Sequence, residues 1–310
     1  MCGISGILLK EEGPVGRHLV EMLDACQHRG PDSTGFALYC TNLYDRLRVR
    51  LLFPDASDEE GQKTLLESFS SLAAQMGCSV SKASVRFGQA SLELSWPAEL
   101  LEFCYEAEKS CEAQIQSIGA QLEIIKGVGT AREVDSAFGV SGQTGTHGIG
   151  HVRLATESMV SVRGAHPFWA YGFSDIAIVH NGQITNYFKM RRSLEAKGYR
   201  FRTENDSELI AVYLAQMLDC GRTLEEVLER STLELDGSFT FLVSTPDGIG
   251  YARDPLGAKP LVLLETDDVI ALASEEVSLQ RLFPGRLLPT IEPAPGTYKT
   301  WRKSTAAVLT

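Results

Sequence analysis

Cys2 is the residue with the most direct chemical potential, because a small residue at position 2 normally allows the initiator methionine to be removed. Removal would leave a thiol and a free α-amine on one residue. An α-amine titrates at about 7.7 to 8.0 and a thiol at about 8.5, so near neutral pH the amine can accept the thiol proton and release the nucleophile. A plainer role is also open to Cys2: a small buried residue at the start of a strand, since Gly3 to Leu9 is short, apolar and partly β-branched.

Three further segments carry residue types suited to the same chemistry. In Ile178-Val179-His180-Asn181-Gly182-Gln183, the Asn-Gly pair follows an apolar run, which taken locally predicts a two-residue hairpin turn. It equally suits an oxyanion hole, with the Asn181 side-chain amide and the Gly182 backbone N–H converging on a developing tetrahedral oxygen. Arg153, in His151-Val152-Arg153-Leu154-Ala155-Thr156, and Asp206, in Asn205-Asp206-Ser207-Glu208, are of the types that hold the two charges of a free amino acid. Arginine would clamp its carboxylate bidentately, and aspartate its ammonium. Their structural alternatives are a strand arginine and a helix cap formed by Asn205 or Asp206. Other apparent motifs are incomplete. His147 and His151 have helical zinc spacing but are separated by Gly148 and Gly150, Gly127-Val128-Gly129 lacks the third glycine of a dinucleotide loop, and Ser79-x-x-Lys82 has no companion motif. No metal or cofactor site is expected on this chain.

The elements that must position these residues are short. A strand at Gly3 to Leu9 precedes a helix carrying Leu19, Met22, Leu23 and Cys26, and extended segments are expected at Thr34 to Cys40 and Leu47 to Phe53. Residues from about 58 to 138 read as a mainly helical insert, with one strand at Ser91 to Trp96 where Leu92, Leu94 and Trp96 alternate. Beyond Gly139, strands are expected at Ile176 to His180, Phe239 to Ser244, Gly250 to Arg253, Pro260 to Leu264 and Val269 to Ala273. Helices are expected near Thr185 to Lys197, Asp206 to Asp219 and Leu224 to Thr232. Strands at both ends with helices between them imply a layered α+β domain over 1–310, not a strict strand-helix alternation.

The 310 residues are 44% hydrophobic and 22% charged, with a net charge of −11, and no apolar run approaches the roughly 20 residues that span a bilayer. Lys and Arg form no long block, so neither a membrane nor a nucleic acid is an expected partner. Seven cysteines without a Cys-x-x-Cys pair read as reduced thiols, and the N-terminus lacks a signal-peptide pattern, which together imply a cytoplasmic protein.

Taken in order, Met1-Cys2-Gly3-Ile4, His28-Arg29-Gly30-Pro31-Asp32-Ser33, His151 to Thr156, His180-Asn181-Gly182, Asp206-Ser207-Glu208 and Ala252-Arg253-Asp254-Pro255-Leu256-Gly257 resemble the class II glutamine amidotransferases. The resemblance implies an N-terminal-nucleophile hydrolase fold, a four-layer α/β/β/α sandwich. It implies Cys2 as nucleophile, Asn181 and Gly182 as oxyanion hole, Arg153, Asp206 and Thr156 as contacts to substrate glutamine, and Arg29 as a residue ordering the site. Within that family the phrases His147 to His151, Ala155-Thr156-Glu157-Ser158 and Ala165-His166-Pro167-Phe168 look most like the stand-alone amidotransferase subunit of glutamate synthase-like and N-methylglutamate synthase complexes. That likeness implies partner subunits on separate chains, carrying FMN and iron-sulfur clusters, that receive the ammonia. A free-standing γ-glutamyl amidohydrolase and a non-catalytic glutamine-sensing or structural subunit are the competing expectations.

Overall fold

The computed structural model describes residues 2–53, 58–155 and 160–304. Its centre is two antiparallel sheets packed face to face. The first orders six strands as β13-β14-β1-β8-β2-β7: β1 (Gly3–Gly13), β2 (Ser33–Tyr39), β7 (Leu122–Val128), β8 (Gly145–Arg153), β13 (Val262–Glu265) and β14 (Val269–Ala273). The second orders β15-β12-β11-β10-β9: β9 (Phe168–Trp169), β10 (Ala177–Ile184), β11 (Gly237–Thr245), β12 (Gly248–Arg253) and β15 (Tyr298–Arg302).

Alternation along the strands shows how each layer is filled. In β1, Ile4 and Leu8 belong to the core between the sheets, while Ile7 and Leu9 belong to a second core under the outer helices; in β2, Ala37 and Tyr39 face inward and Phe36 and Leu38 outward. Strands buried on both faces therefore read as continuous apolar runs, because each half of the period-two pattern has its own apolar layer. Helices α1 (Val15–Ala25), α4 (Ala131–Phe138) and α8 (Glu276–Gln280) cover the outer face of the first sheet. The outer face of the second is covered by α6 (Asp206–Asp219) and α7 (Leu224–Glu234), with α5 (Tyr187–Glu195) packed on α6. The result is the four-layer α/β/β/α sandwich of the N-terminal-nucleophile hydrolases.

The mainly helical insert is corrected by the structure. Between Arg46 and Gly119 the chain runs β3 (Arg46–Leu52), α2 (Glu59–Gln75), β4 (Val80–Arg86), β5 (Gln89–Ser95), α3 (Leu100–Cys111) and β6 (Gln114–Gly119). These four strands form a separate antiparallel sheet in the order β4-β5-β3-β6, which with its two helices is the βαββαβ arrangement of ferredoxin-like units. The unit begins in a strand already expected at Leu47 to Phe53. It ends before β7 and α4, which return to the main sandwich. Its apolar side, with Leu47, Val49, Leu92 and Leu94, shares one core with Phe69 of α2 and Phe103 of α3.

Asp175 ties the unit to the sandwich. Its carboxylate accepts from the backbone N–H groups of Ala120, at 2.9 Å, Gln121, at 2.7 Å, and Leu122, at 2.8 Å, at the β6–β7 turn. Tyr39 reinforces the same corner from the first sheet by donating its hydroxyl toward the carbonyls of Asp175 and Ser244.

Candidate active site

Cys2, just ahead of β1, lies beside the end of β8. The antiparallel ladder pairs Gly3 with Val152, so the next step sets Cys2 beside Arg153. The Cys2 Sγ lies 3.4 Å from the Leu154 N–H and 3.7 Å from the Leu154 carbonyl. Arg29 holds the residue from the other side, its Nε donating to the Cys2 carbonyl at 2.9 Å while its Nη1 pairs with Glu275 at 2.6 Å. Although partial burial opposes ionisation of Glu275, the Arg29 and His28 partners outweigh it and hold the carboxyl below its usual range. The turn bearing Arg29 is clasped to β8: Asp32 N–H donates to Arg153 O, Ala155 N–H donates to Asp32 Oδ2, and a side chain at Gly30 would run into the backbone of Val152.

From the second sheet, the Asn181 Nδ2 donates to the same Cys2 carbonyl at 3.1 Å and lies 3.4 Å from Ser274 Oγ. Asn181 and Gly182 do not form the hairpin turn predicted from Asn-Gly alone; both lie within β10, which continues to Ile184. Local turn propensity is overridden by eight consecutive pairings with β11. Gly182 is required there, since its φ is +140° and a Cβ would stand 2.0 Å from Ser238 O. The facing residue, Phe239, directs both its N–H and its carbonyl to Asp254 on the β12 side. Gly182 and Phe239 are therefore a non-hydrogen-bonded pair, and the Gly182 N–H points away from β11, toward the open side of β10.

Asp206 is the first residue of α6, and the cap is Asn205, whose Oδ1 accepts from Ser207 N–H at 2.8 Å. Asp206 is thereby released from capping. Its Oδ2 accepts from Ile184 N–H at 3.0 Å, and its Oδ1 is 3.6 Å from His180 Nδ1. Burial opposes its charge, but His180 and the backbone N–H groups of Ile184 and Ser207 prevail and lower its pKa. Arg153 is buried, at 8% exposure, with its guanidinium near Gly164.

Cys2, Arg29, Arg153, Asn181, Gly182 and Asp206 all line one cleft of about 1110 Å³. Six of the seven residues singled out from the sequence thus converge. The seventh, Thr156, lies outside the described residues. Buried imidazoles form part of the cleft wall, His166 and His180 lining it and His151 standing behind His166. His166 and His180 both meet Ser207 Oγ, at 2.7 and 3.0 Å, and His151 stacks on His166 with 4.1 Å between ring centroids. Burial is the main cause holding His151 down to about 3 and His166 well below its ordinary value.

Sequence reasoning missed Ser274 and Glu275. Ser274 Oγ accepts the Ile4 N–H at 2.9 Å and its own N–H donates to Ile4 O, so it fixes the start of β1 as well as facing Asn181. The only local signal was Ser-Glu-Glu after an apolar strand, which reads as an ordinary helix start.

Solved structures with this architecture include the glutamine phosphoribosylpyrophosphate amidotransferase of B. subtilis, with a TM-score of 0.59 and 21% identity, and an enzyme described as the allosteric regulatory enzyme of purine biosynthesis, with 0.60 and 20%. Each is covered over 98% of this chain and 50% of its own, so this chain spans half their length. The sequence pattern described as the glutamine amidotransferase domain matches residues 151–281. A protein of Methanothermobacter thermautotrophicus, whose name places it provisionally among the glutamine amidotransferases, is 39% identical over 298 residues, 94% of this chain and 97% of the relative. The glutamine amidotransferase-like protein GlxB of Rhizobium meliloti is 36% identical over 312 residues, 99% and 100% of the two chains. The chain belongs to the glutamine amidotransferase family.

Proposed function

We propose that this chain hydrolyses glutamine to glutamate and ammonia through a γ-glutamyl thioester on Cys2. The supporting observation is the convergence of thiol, amide donor, arginine and aspartate on one cleft, with Asn181 Nδ2 3.1 Å from the Cys2 carbonyl. Once Met1 is removed, the α-amine of Cys2 takes the thiol proton, and the thiolate attacks the glutamine δ-carbon. The Asn181 amide and the outward-turned Gly182 N–H stabilise the resulting oxyanion. Collapse of the tetrahedral intermediate breaks the C–N bond, with the protonated α-amine returning its proton to the departing ammonia. Water, deprotonated by the same amine, then cleaves the thioester and regenerates the thiol. Arg153 clamps the α-carboxylate of glutamine and Asp206, held ionised, its α-ammonium. Arg29 keeps the Cys2 carbonyl from drifting, and Thr156 is assigned a substrate contact by resemblance alone.

The ammonia is passed to glutamate synthase-like or N-methylglutamate synthase subunits on separate chains, which carry the FMN and iron-sulfur clusters. This reading is supported by two relatives that match this chain over 97% and 100% of their own lengths, and so carry no large acceptor domain of their own. An amidophosphoribosyltransferase of Methanocaldococcus jannaschii, by contrast, is matched over only 38% of its length. The test is steady-state hydrolysis by the Met1-processed chain, with ammonia and glutamate both quantified, alone and with co-purified partner subunits. Stoichiometric products that accumulate faster with partners support the proposal. Faster turnover of γ-glutamyl peptides than of glutamine would favour the free-standing amidohydrolase.

A further inference from the structure

A second cavity, of about 570 Å³, lies where the ferredoxin-like unit, β7 and the segment leading into α6 meet. It is distinct from the glutamine cleft but shares a wall with it, since Arg163 and Thr203 line both. Its interior polar groups are incompletely matched. Gln116 of β6 is 4% exposed, and neither its amide nitrogen nor its oxygen meets a hydrogen-bond partner among the described residues. The Arg200 guanidinium carbon sits over the Tyr105 ring, 3.6 Å from its centroid, and its buried Nη1 is also without a hydrogen-bond partner among the described residues. Lys126 is 5% exposed and donates to Ala165 O at 2.9 Å.

Charge accounting points to an anion. Arg202 takes both neighbouring carboxylates, Glu108 at 3.2 Å and Glu208 at 3.5 Å. Glu112 and Glu195 are exposed at the rim. Lys126 and Arg200 thus face the cavity as basic groups with no carboxylate at ion-pair distance among the described residues. Burial holds the Lys126 ammonium down to about 7, and an anion beside it would restore its charge. Buried polar groups without partners are costly, and a ligand supplying both a negative group and a donor or acceptor for Gln116 would serve Gln116 and Arg200 while giving Lys126 an opposite charge.

We propose that this cavity binds a small organic acid, a carboxylate with an adjacent oxo or hydroxyl group, and that its occupancy tunes glutamine binding. The carboxylate meets Lys126 and Arg200, and the second polar group meets Gln116. The route to the glutamine cleft is short. Arg200 and Arg202 stand on the segment that Glu208 fixes through Arg202 N–H, Thr203 N–H and Thr203 Oγ1, and Asn205 and Asp206 follow directly. An acid that draws Arg200 inward biases the position of Asp206. This coupling rests on the proposed role of the cleft in glutamine hydrolysis; the binding does not.

Titration calorimetry of the full chain with pyruvate, L-malate and citrate, with inorganic phosphate alongside, tests the binding. Saturable binding of at least one acid is expected, weakened at least about tenfold in Gln116→Leu and in Lys126→Met and unchanged in Asp206→Ala. Gln116→Leu removes an amide with no hydrogen-bond partner among the described residues, so its loss of binding at a wild-type melting temperature is not unfolding. No saturable binding, binding of phosphate alone, or binding lost in Asp206→Ala and kept in Gln116→Leu overturns the site. For the coupling, the acid is expected to change the KM for glutamine at least about threefold in the wild type and not in Gln116→Leu; an unchanged KM overturns it. A wild type with no glutaminase activity would contradict the proposed reaction and the coupling with it, while calorimetry would still decide the binding.

Discussion

At the scale of single residues, the assigned roles separate kinetically. Removing a donor that acts on the oxyanion slows the chemical step, so Asn181→Ala is expected to lower kcat for glutamine by about 100 to 1,000-fold with a small change in KM. Arg153→Ala and Asp206→Ala remove partners for the substrate charges and are expected chiefly to raise KM. Steady-state kinetics of the three variants checks both; a KM-only effect in Asn181→Ala would contradict its placement. Which residues were legible follows from the same distinction. Cys2, Arg29, Arg153, Asn181, Gly182 and Asp206 carry their chemistry in residue type and short motif. Ser274 acts on Ile4, 270 positions away, through one hydroxyl, and no local spacing encodes that contact.

At the scale of elements, β8 sets the acid tolerance of the fold. Every second residue of this strand points between the sheets, which buries His147 and His151 there, with His147 Nε2 2.8 Å from Thr245 O. Burial is the main cause lowering His147 to about 4 and His151 to about 3, while an unfolded histidine titrates at about 6.5. Between those values the unfolded chain binds more protons than the folded one. The stabilisation is therefore complete above about pH 6.5 and declines as pH falls toward 4. Urea unfolding at pH 7.5, 6 and 5 is expected to show a progressive loss, shallower in His147→Gln; a flat profile would refute this. The contact between units is equally local: Asp175→Ala leaves three backbone N–H groups without their acceptor and is expected to cost about 2 to 4 kcal/mol, read as a lowered urea midpoint.

The ferredoxin-like unit shows why elements were harder to read than residues. β5 announced itself through Leu92 and Leu94, but β4 lies at a sheet edge with five of its seven residues exposed and carries no apolar alternation. The pair β6 and β7 is divided only by Ala120 and Gln121, and its two strands join different sheets. Helices α2 and α3 were the stronger periodic signals, and they led the intervening strands to be read as helical insert.

At the scale of the whole molecule, the two sheets and the helical layer over the second bring together residues that start β1, end β8, run through β10 and open α6, so the cleft exists only when those three layers are assembled. Among the described residues no helix is long and apolar enough to cross a membrane. The layered α+β class was readable from the order of strands and helices. The partition into two core sheets was not, because pairings such as Ser5 with Ala273 join the two ends of the chain.

The account depends most directly on Cys2 as a processed N-terminal nucleophile. The decisive measurement is mass spectrometry of the protein after incubation with 6-diazo-5-oxo-L-norleucine, a glutamine-like electrophile, with glutaminase activity followed in parallel. The predicted result is a mature chain beginning at Cys2, a single adduct on its sulfur, and activity lost in proportion to labelling. Full activity in a homogeneous sample retaining Met1, or inactivation with the adduct on one of the other six cysteines, would contradict it.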